Sequence, residues 1–175
     1  MRKINLAITG CLGRMGRQLI KSSKSNKDFK LVTLTENIPN NKKIAGIKIN
    51  LNTDQAFKNT DVIVDFTVPK CTLEILKIAS RLKKRVVIGT TGFTQSQEII
   101  IKKYSKKIPI LKAGNMSLGV NLLMYLTEIA SRLKKRVVIG TTGFTKKEDS
   151  LIKKYSKKIP ILKAGNMSLG VNLLM

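Results

Sequence analysis

The chain has 175 residues, 42% hydrophobic and 25% charged, a composition that excludes bulk disorder and suits one ordinary domain plus an appendage rather than two full domains. Its longest apolar runs, 61–68 and 86–88, are strand-sized and far short of the roughly 20 residues that span a bilayer, so no membrane segment is expected. The net charge of +24 raises nucleic acid as a partner, but the basic runs carry little aromatic interleaving and match no groove-reading module, and a third of the excess falls after residue 124, which argues against that partner.

Taken in chain order, the first element is a strand over Lys3–Thr9, with no charged start or small-residue cleavage site of a signal peptide before it. The cysteines, Cys11 and Cys71, lie outside any CxxC pair. Together these features lead us to expect a cytoplasmic protein with reduced thiols. A helix follows over Arg14–Ser23, with Met15, Leu19 and Ile20 on one side. Lys30–Thr35 reads as the second strand. Residues 37–52 read as a polar loop with a short apolar alternation at Ile44–Leu51. Thr53 or Asp54 caps a short helix through Lys58, and Asp61–Phe66 is a strand apolar enough to be buried on both faces. Pro69 stands where a helix should begin, and Leu73, Leu76, Ala79 and Leu82 continue it at helical spacing. A strand at Arg85–Ile88, a helix at Thr94–Ser105, a strand at Ile108–Lys112 and a longer helix at Ser117–Ser131 complete the pattern. Such alternation predicts an α/β fold: a Rossmann-type parallel sheet with helices on both faces.

An internal repeat interrupts this order. Ile78–Thr94 recurs letter for letter as Ile129–Thr145, and Ile101–Met124 recurs as Ile152–Met175. Solenoid repeats diverge and come in larger numbers, so two near-identical copies point to a recent duplication. We therefore expect a dinucleotide-binding domain at 1–128 and, at 129–175, a duplicated α/β segment copying 78–124. Either copy suits the same sheet positions, which gives the chain a route to self-association through exposed strand edges.

The chemistry points to the turn after the first strand, Gly10-Cys11-Leu12-Gly13-Arg14-Met15-Gly16. Glycines at 10, 13 and 16 allow a tight turn, a close backbone approach to a pyrophosphate, and helix amides aimed at its charge. Glu36 lies 20 residues after Gly16, where an acid at the end of the second strand accepts the adenosine ribose hydroxyls. Asn37 is neutral where a 2′-phosphate calls for a cation, so NADH is favoured over NADPH, with Lys42 and Lys43 nearby as the opposing signal. At Thr90 and Thr91 two uses compete: bonding a nicotinamide carboxamide, or capping the helix that follows.

Four stretches occur in the order found in bacterial dihydrodipicolinate reductases, which the chain resembles over residues 1 to about 131. They are Gly13–Gly16, Val64-Asp65-Phe66-Thr67-Val68-Pro69, Gly89-Thr90-Thr91-Gly92-Phe93, and Ala113-Gly114-Asn115-Met116-Ser117 with the Leu118–Asn121 that follows. The resemblance is to that family's cofactor domain. It implies hydride transfer from NADH or NADPH to a dihydrodipicolinate-type substrate in the diaminopimelate route to lysine. It also implies that Gly10, Cys11, Leu12, Gly13, Arg14, Met15 and Gly16 hold the pyrophosphate and Glu36 the ribose. Phe66, Gly89, Thr90, Thr91, Ala113, Gly114, Asn115 and Met116 would line the rest of the cofactor site. The family's substrate domain carries a His-His pair and Lys-x-Asp-x-Pro-Ser-Gly-Thr. This chain contains no histidine, and the repeat stands where that domain should begin. The expectation is thus a truncated reductase with the substrate site largely absent, no catalytic residue and no metal site.

Overall fold

A computed structural model describes residues 2–39, 41–141 and 143–163. The repeat's 164–175 lies outside the described residues. Two compact units divide the chain, Met1–Ala113 and Gly114–Met175. The repeat itself places a boundary after 128; the units part earlier, because the helix Leu118–Arg132 packs against Lys146–Ser156 in the second unit.

The first unit contains seven strands: β1 (Ile4–Thr9), β2 (Phe29–Glu36), β3 (Lys43–Ile44), β4 (Ile47–Leu51), β5 (Val62–Asp65), β6 (Arg85–Ile88) and β7 (Ile110–Lys112). Four helices connect them: α1 (Arg14–Ser25), α2 (Asp54–Phe57), α3 (Pro69–Arg81) and α4 (Gln95–Ser105). The sheet order is β3-β4-β2-β1-β5-β6-β7, and every pairing is parallel except the β3–β4 hairpin. Alternation along β1 divides the core. Leu6 and Ile8 join Cys11, Ile20 of α1, Leu34 and Ile49 in one cluster. Ala7 faces the other way, into a cluster holding Phe57 of α2, Ile75, Leu76 and Ala79 of α3, and Ile101 of α4. Helices thus cover both faces of a mostly parallel sheet, the Rossmann-type α/β arrangement.

Two features depart from the sequence reading. The segment read as a loop over 37–52 contains the β3–β4 hairpin, whose β4 continues the parallel sheet beside β2. Its two turn residues, Ala45 (φ 56°) and Gly46 (φ 78°), both adopt the left-handed conformation that a two-residue hairpin with a type I′ turn requires. On α1 the buried residues are Gly16, Ile20 and Ser23, while Met15 is half exposed. The inward face is rotated because Gly16 is pressed onto the turn after β1, as described below.

In the second unit, α5 (Leu118–Arg132) leads to β8 (Val137–Ile139), α6 (Lys146–Ser156) and β9 (Ile161–Lys163). Strands β8 and β9 form a two-stranded parallel sheet. Repeated letters yield repeated details. After α3, Lys83 is left-handed at φ 53° and the Lys84 N–H donates to Ala79 O at 2.9 Å. After α5, Lys134 has φ 53° and the Lys135 N–H donates to Ala130 O at 2.9 Å. This is the helix stop built on a left-handed residue, here met twice by lysine instead of glycine. The following helices begin alike, with Thr94 and Thr145 each in a capping box, completed by Gln97 and Glu148.

Candidate functional site

The strand order reverses between β1 and β5, and in open parallel sheets the crevice at that switch point, outside the carboxyl ends of the strands, is where ligands bind. A cleft of about 290 Å³ lies there. Gly10, Leu12 and Gly13 line it from the turn after β1, Glu36 and Asn37 from the end of β2, and Phe66, Thr67 and Val68 from the end of β5. A larger depression of about 480 Å³, bordered by Asn5, Lys30, Thr33 and Gln55, contains none of the glycine-turn residues and none of the strand-end motifs.

The glycine turn is compact for reasons its atoms make explicit. Gly10 has φ +61°, and a Cβ there would stand 2.8 Å from Thr67 Cγ2. A Cβ on Gly16 would lie 2.2 Å from Gly10 O and 2.7 Å from Cys11 Cα, so only glycine lets α1 start this close to β1. Gly13 is the N-cap of α1 in extended conformation and offers no side-chain acceptor to the first-turn amides. Those amides, with the positive end of the helix dipole, suit a bound anion such as pyrophosphate. Arg14 and Met15 are exposed beside them.

Glu36 is tied to the same turn: its Oε1 accepts the Leu12 N–H at 2.7 Å. Cys11, within the turn, is fully buried. Burial first, and the neighbouring Glu36 charge second, push its thiol up to about 11. Its side chain packs in the core cluster with Leu6, Ile8 and Leu34.

Phe66 and Gly89 meet directly. A Cβ on Gly89 would fall 2.0 Å from the Phe66 ring, so the flat ring that lies against this glycine is the protein's own. Thr91 is exposed, whereas Thr90 is 4% exposed and its hydroxyl is engaged within the protein. The helix after this stretch is capped by Thr94. Ala113 closes the first unit. Gly114, Asn115 and Met116 belong to the second, where Asn115 Nδ2 donates to Gly143 O at 3.2 Å and to Glu148 Oε2 at 3.3 Å.

One cluster under the cleft escaped the sequence reading. Asp65, at the end of β5 and 0% exposed, accepts hydroxyls from four threonines. Thr9 Oγ1 and Thr67 Oγ1 each donate to Oδ1 at 2.7 Å. Thr90 Oγ1 donates to Oδ2 at 3.1 Å, joined there by Thr72 Oγ1. The available signal was an acid closing an apolar strand, with threonines two and seven residues later.

This geometry defines a Rossmann-type α/β unit. Comparison with known proteins narrows the class. The family model for "Dihydrodipicolinate reductase, N-terminus" matches residues 4–116 and 120–167, and the chain belongs to that family. A 4-hydroxy-tetrahydrodipicolinate reductase of Pelagibacter ubique is 77% identical over 132 residues, covering 75% of this chain and 51% of that protein. Its counterpart in Buchnera aphidicola subsp. Acyrthosiphon pisum is 39% identical over 143 residues, covering 75% and 53%. The chain thus spans about half the length of the curated relatives it matches. Among solved structures, a dipicolinate-bound dihydrodipicolinate reductase from Paenisporosarcina sp. TG-14 shares the fold at a TM-score of 0.69 and 20% identity, over 93% of this chain and 78% of that one. A nicotinamide cofactor is expected of this family. Among the described residues, no helix is long and apolar enough to cross a membrane.

Proposed function

We propose that the first unit binds a nicotinamide dinucleotide and serves as the cofactor-binding part of a reductase acting on a dihydrodipicolinate-type substrate, in the diaminopimelate route to lysine. The observation that carries this reading is the uncapped start of α1, packed by Gly16 against the turn after β1 and opening on the switch-point cleft. When bound, the cofactor supplies hydride from its nicotinamide ring. The first-turn amides of α1 hold and orient its pyrophosphate, with Arg14 flanking. Glu36 accepts the adenosine ribose hydroxyls on the lone pairs that the Leu12 N–H leaves, a carboxylate having about four acceptor sites. A recess of about 260 Å³ alongside Asn37, Val68, Lys70 and Glu74 continues the cleft and suits the adenine. Phe66, Gly89, Thr91 and Ala113 border the nicotinamide side. The acidic Glu36 and neutral Asn37 favour NADH over NADPH. A cytoplasmic setting, in which Cys11 and Cys71 stay reduced, goes with this reading. We assign no catalytic residue in this chain.

The test is Gly13→Asp. Gly13 has φ −69° and ψ 166°, a conformation that any residue adopts, and aspartate at an N-cap satisfies helix amides itself. An added Cβ would stand 3.2 Å from Gly10 O, a tight contact that the new cap offsets, so the variant should hold its thermal midpoint to within about 4 °C while losing saturable NADH binding, because its carboxylate takes the amides and repels pyrophosphate. NADH binding as tight as in the unaltered chain would refute the proposal, and so would a folded unaltered chain that binds no NADH.

A further inference from the structure

We propose that Asp65 and Thr90 are positioning residues that hold the nicotinamide half of the cleft in shape, acting through the Thr67 backbone without touching the cofactor. The inference rests on the cofactor reading above and assigns a role to a cluster that reading leaves unused.

The geometry is unusual in its saturation. A carboxylate has about four acceptor sites, and each Asp65 oxygen takes two hydroxyls. Thr9 and Thr72 have longer alternatives in Val64 O at 3.4 Å and Val68 O at 3.3 Å, whereas the single hydroxyl protons of Thr67 and Thr90 are directed to Asp65. Thr9 closes β1 just before the glycine turn, Thr67 lies in the cleft wall, Thr72 is in the first turns of α3, and Thr90 follows β6. One buried group thus fixes the carboxyl ends of three adjacent strands and the helix facing them.

Thr90 has a second task. With its proton directed to Asp65, its oxygen accepts the Thr67 N–H at 2.9 Å. That bond sets the peptide between Phe66 and Thr67, and the Phe66 ring in turn lies against Gly89. Thr67 also packs under Gly10. Asp65 orients Thr90, Thr90 orients the 66–67 peptide, and that peptide places the cleft wall on the β5–β6 side. The pyrophosphate and ribose contacts come from the first-turn amides of α1 and from Glu36, and Thr90 reaches the glycine turn only indirectly, through the packing of Thr67 under Gly10. The two halves of a dinucleotide should therefore respond differently when the relay is cut.

The experiment compares NADH with ADP-ribose, which lacks the nicotinamide, on the full chain carrying Thr90→Val or Thr90→Ser. Valine keeps the volume but removes both the donor and the acceptor, leaving the Thr67 N–H without its partner; serine restores them. Thr90→Val should weaken NADH binding by about tenfold or more, in keeping with a lost buried hydrogen bond, and leave ADP-ribose within about twofold. Thr90→Ser should return NADH binding to within about twofold of the unaltered chain. A merely structural role would weaken both ligands together, and that outcome overturns the inference. Unchanged NADH affinity in Thr90→Val overturns it as well. An unaltered chain that binds neither ligand defeats the cofactor reading itself, and the inference with it.

Discussion

Replacing Gly16 by alanine is the sharpest probe of how the site is built. In an ordinary helix the change would be favourable, since alanine exceeds glycine in helix propensity by up to about 1 kcal/mol. At this position the added methyl would lie 2.2 Å from Gly10 O, 2.7 Å from Cys11 Cα and 2.9 Å from Gly10 C, against the 3.4 Å at which ordinary contact begins. All three neighbours are backbone atoms, so no rotamer change relieves the clash. The start of α1 must retreat by about 1 Å, in a core where overpacking costs about 1–3 kcal/mol. A loss of that size lowers the thermal midpoint by roughly 4–8 °C per kcal/mol for a unit of this length. The same retreat carries the first-turn amides away from the pyrophosphate, and a 1 Å misplacement in a site is worth up to about a hundredfold in function. Urea unfolding should show a lower midpoint with an unchanged slope, and fluorescence titration should show NADH affinity falling by tenfold or more, about 1.4 kcal/mol. Stability and NADH affinity both equal to those of the unaltered chain would refute the close approach of α1 to the turn.

Two further outcomes follow from side-chain environments. Cys11, with its thiol pushed up to about 11 by burial and by Glu36, should resist iodoacetamide at pH 8 in the folded protein and react promptly once urea unfolds it; labelling followed by mass spectrometry checks this. Burial pulls the Glu148 carboxyl upward, but hydrogen bonds from the Thr145 N–H and hydroxyl and from Asn115 outweigh it and leave the group below its ordinary 4.5. A depressed acid stabilises the folded state above its unfolded value and loses that contribution as pH falls through its folded value. The cap of α6 should therefore loosen only below pH 4.5, a dependence that Glu148→Gln removes and that carboxyl chemical shifts can follow.

The sequence carried the alternation of strands and helices well, because apolar periodicity reports which faces are buried. It carried the glycine turn for the same kind of reason: spacing, strand before and helix after, and Glu36 at the right remove. The β3–β4 hairpin was hidden because Ala45 occupies a left-handed turn position normally signalled by asparagine or aspartate. Met15 misled because periodicity marks an apolar side chain as inward, whereas the contact that orients α1 is made by Gly16, which has no side chain to count. The Asp65 cluster was illegible for a deeper reason. Its members are scattered from residue 9 to residue 90, and no local pattern distinguishes a threonine that serves a buried carboxylate from one that favours a strand.

The repeat makes the molecule its own thermodynamic comparator. Arg85–Ile88 and Arg136–Ile139 are the same four letters, reached through the same helix stop and followed by a helix with the same capping box. β6 has β5 on one flank and β7 on the other. β8, among the described residues, has β9 alone. Ile88 and Ile139 are nonetheless equally buried, at 0% and 1% exposure, while Val138 is 65% exposed. Any difference in persistence between the two strands is therefore a measure of their surroundings, the flanking strand and the covering helices together, with the strand's own sequence held constant inside one polypeptide.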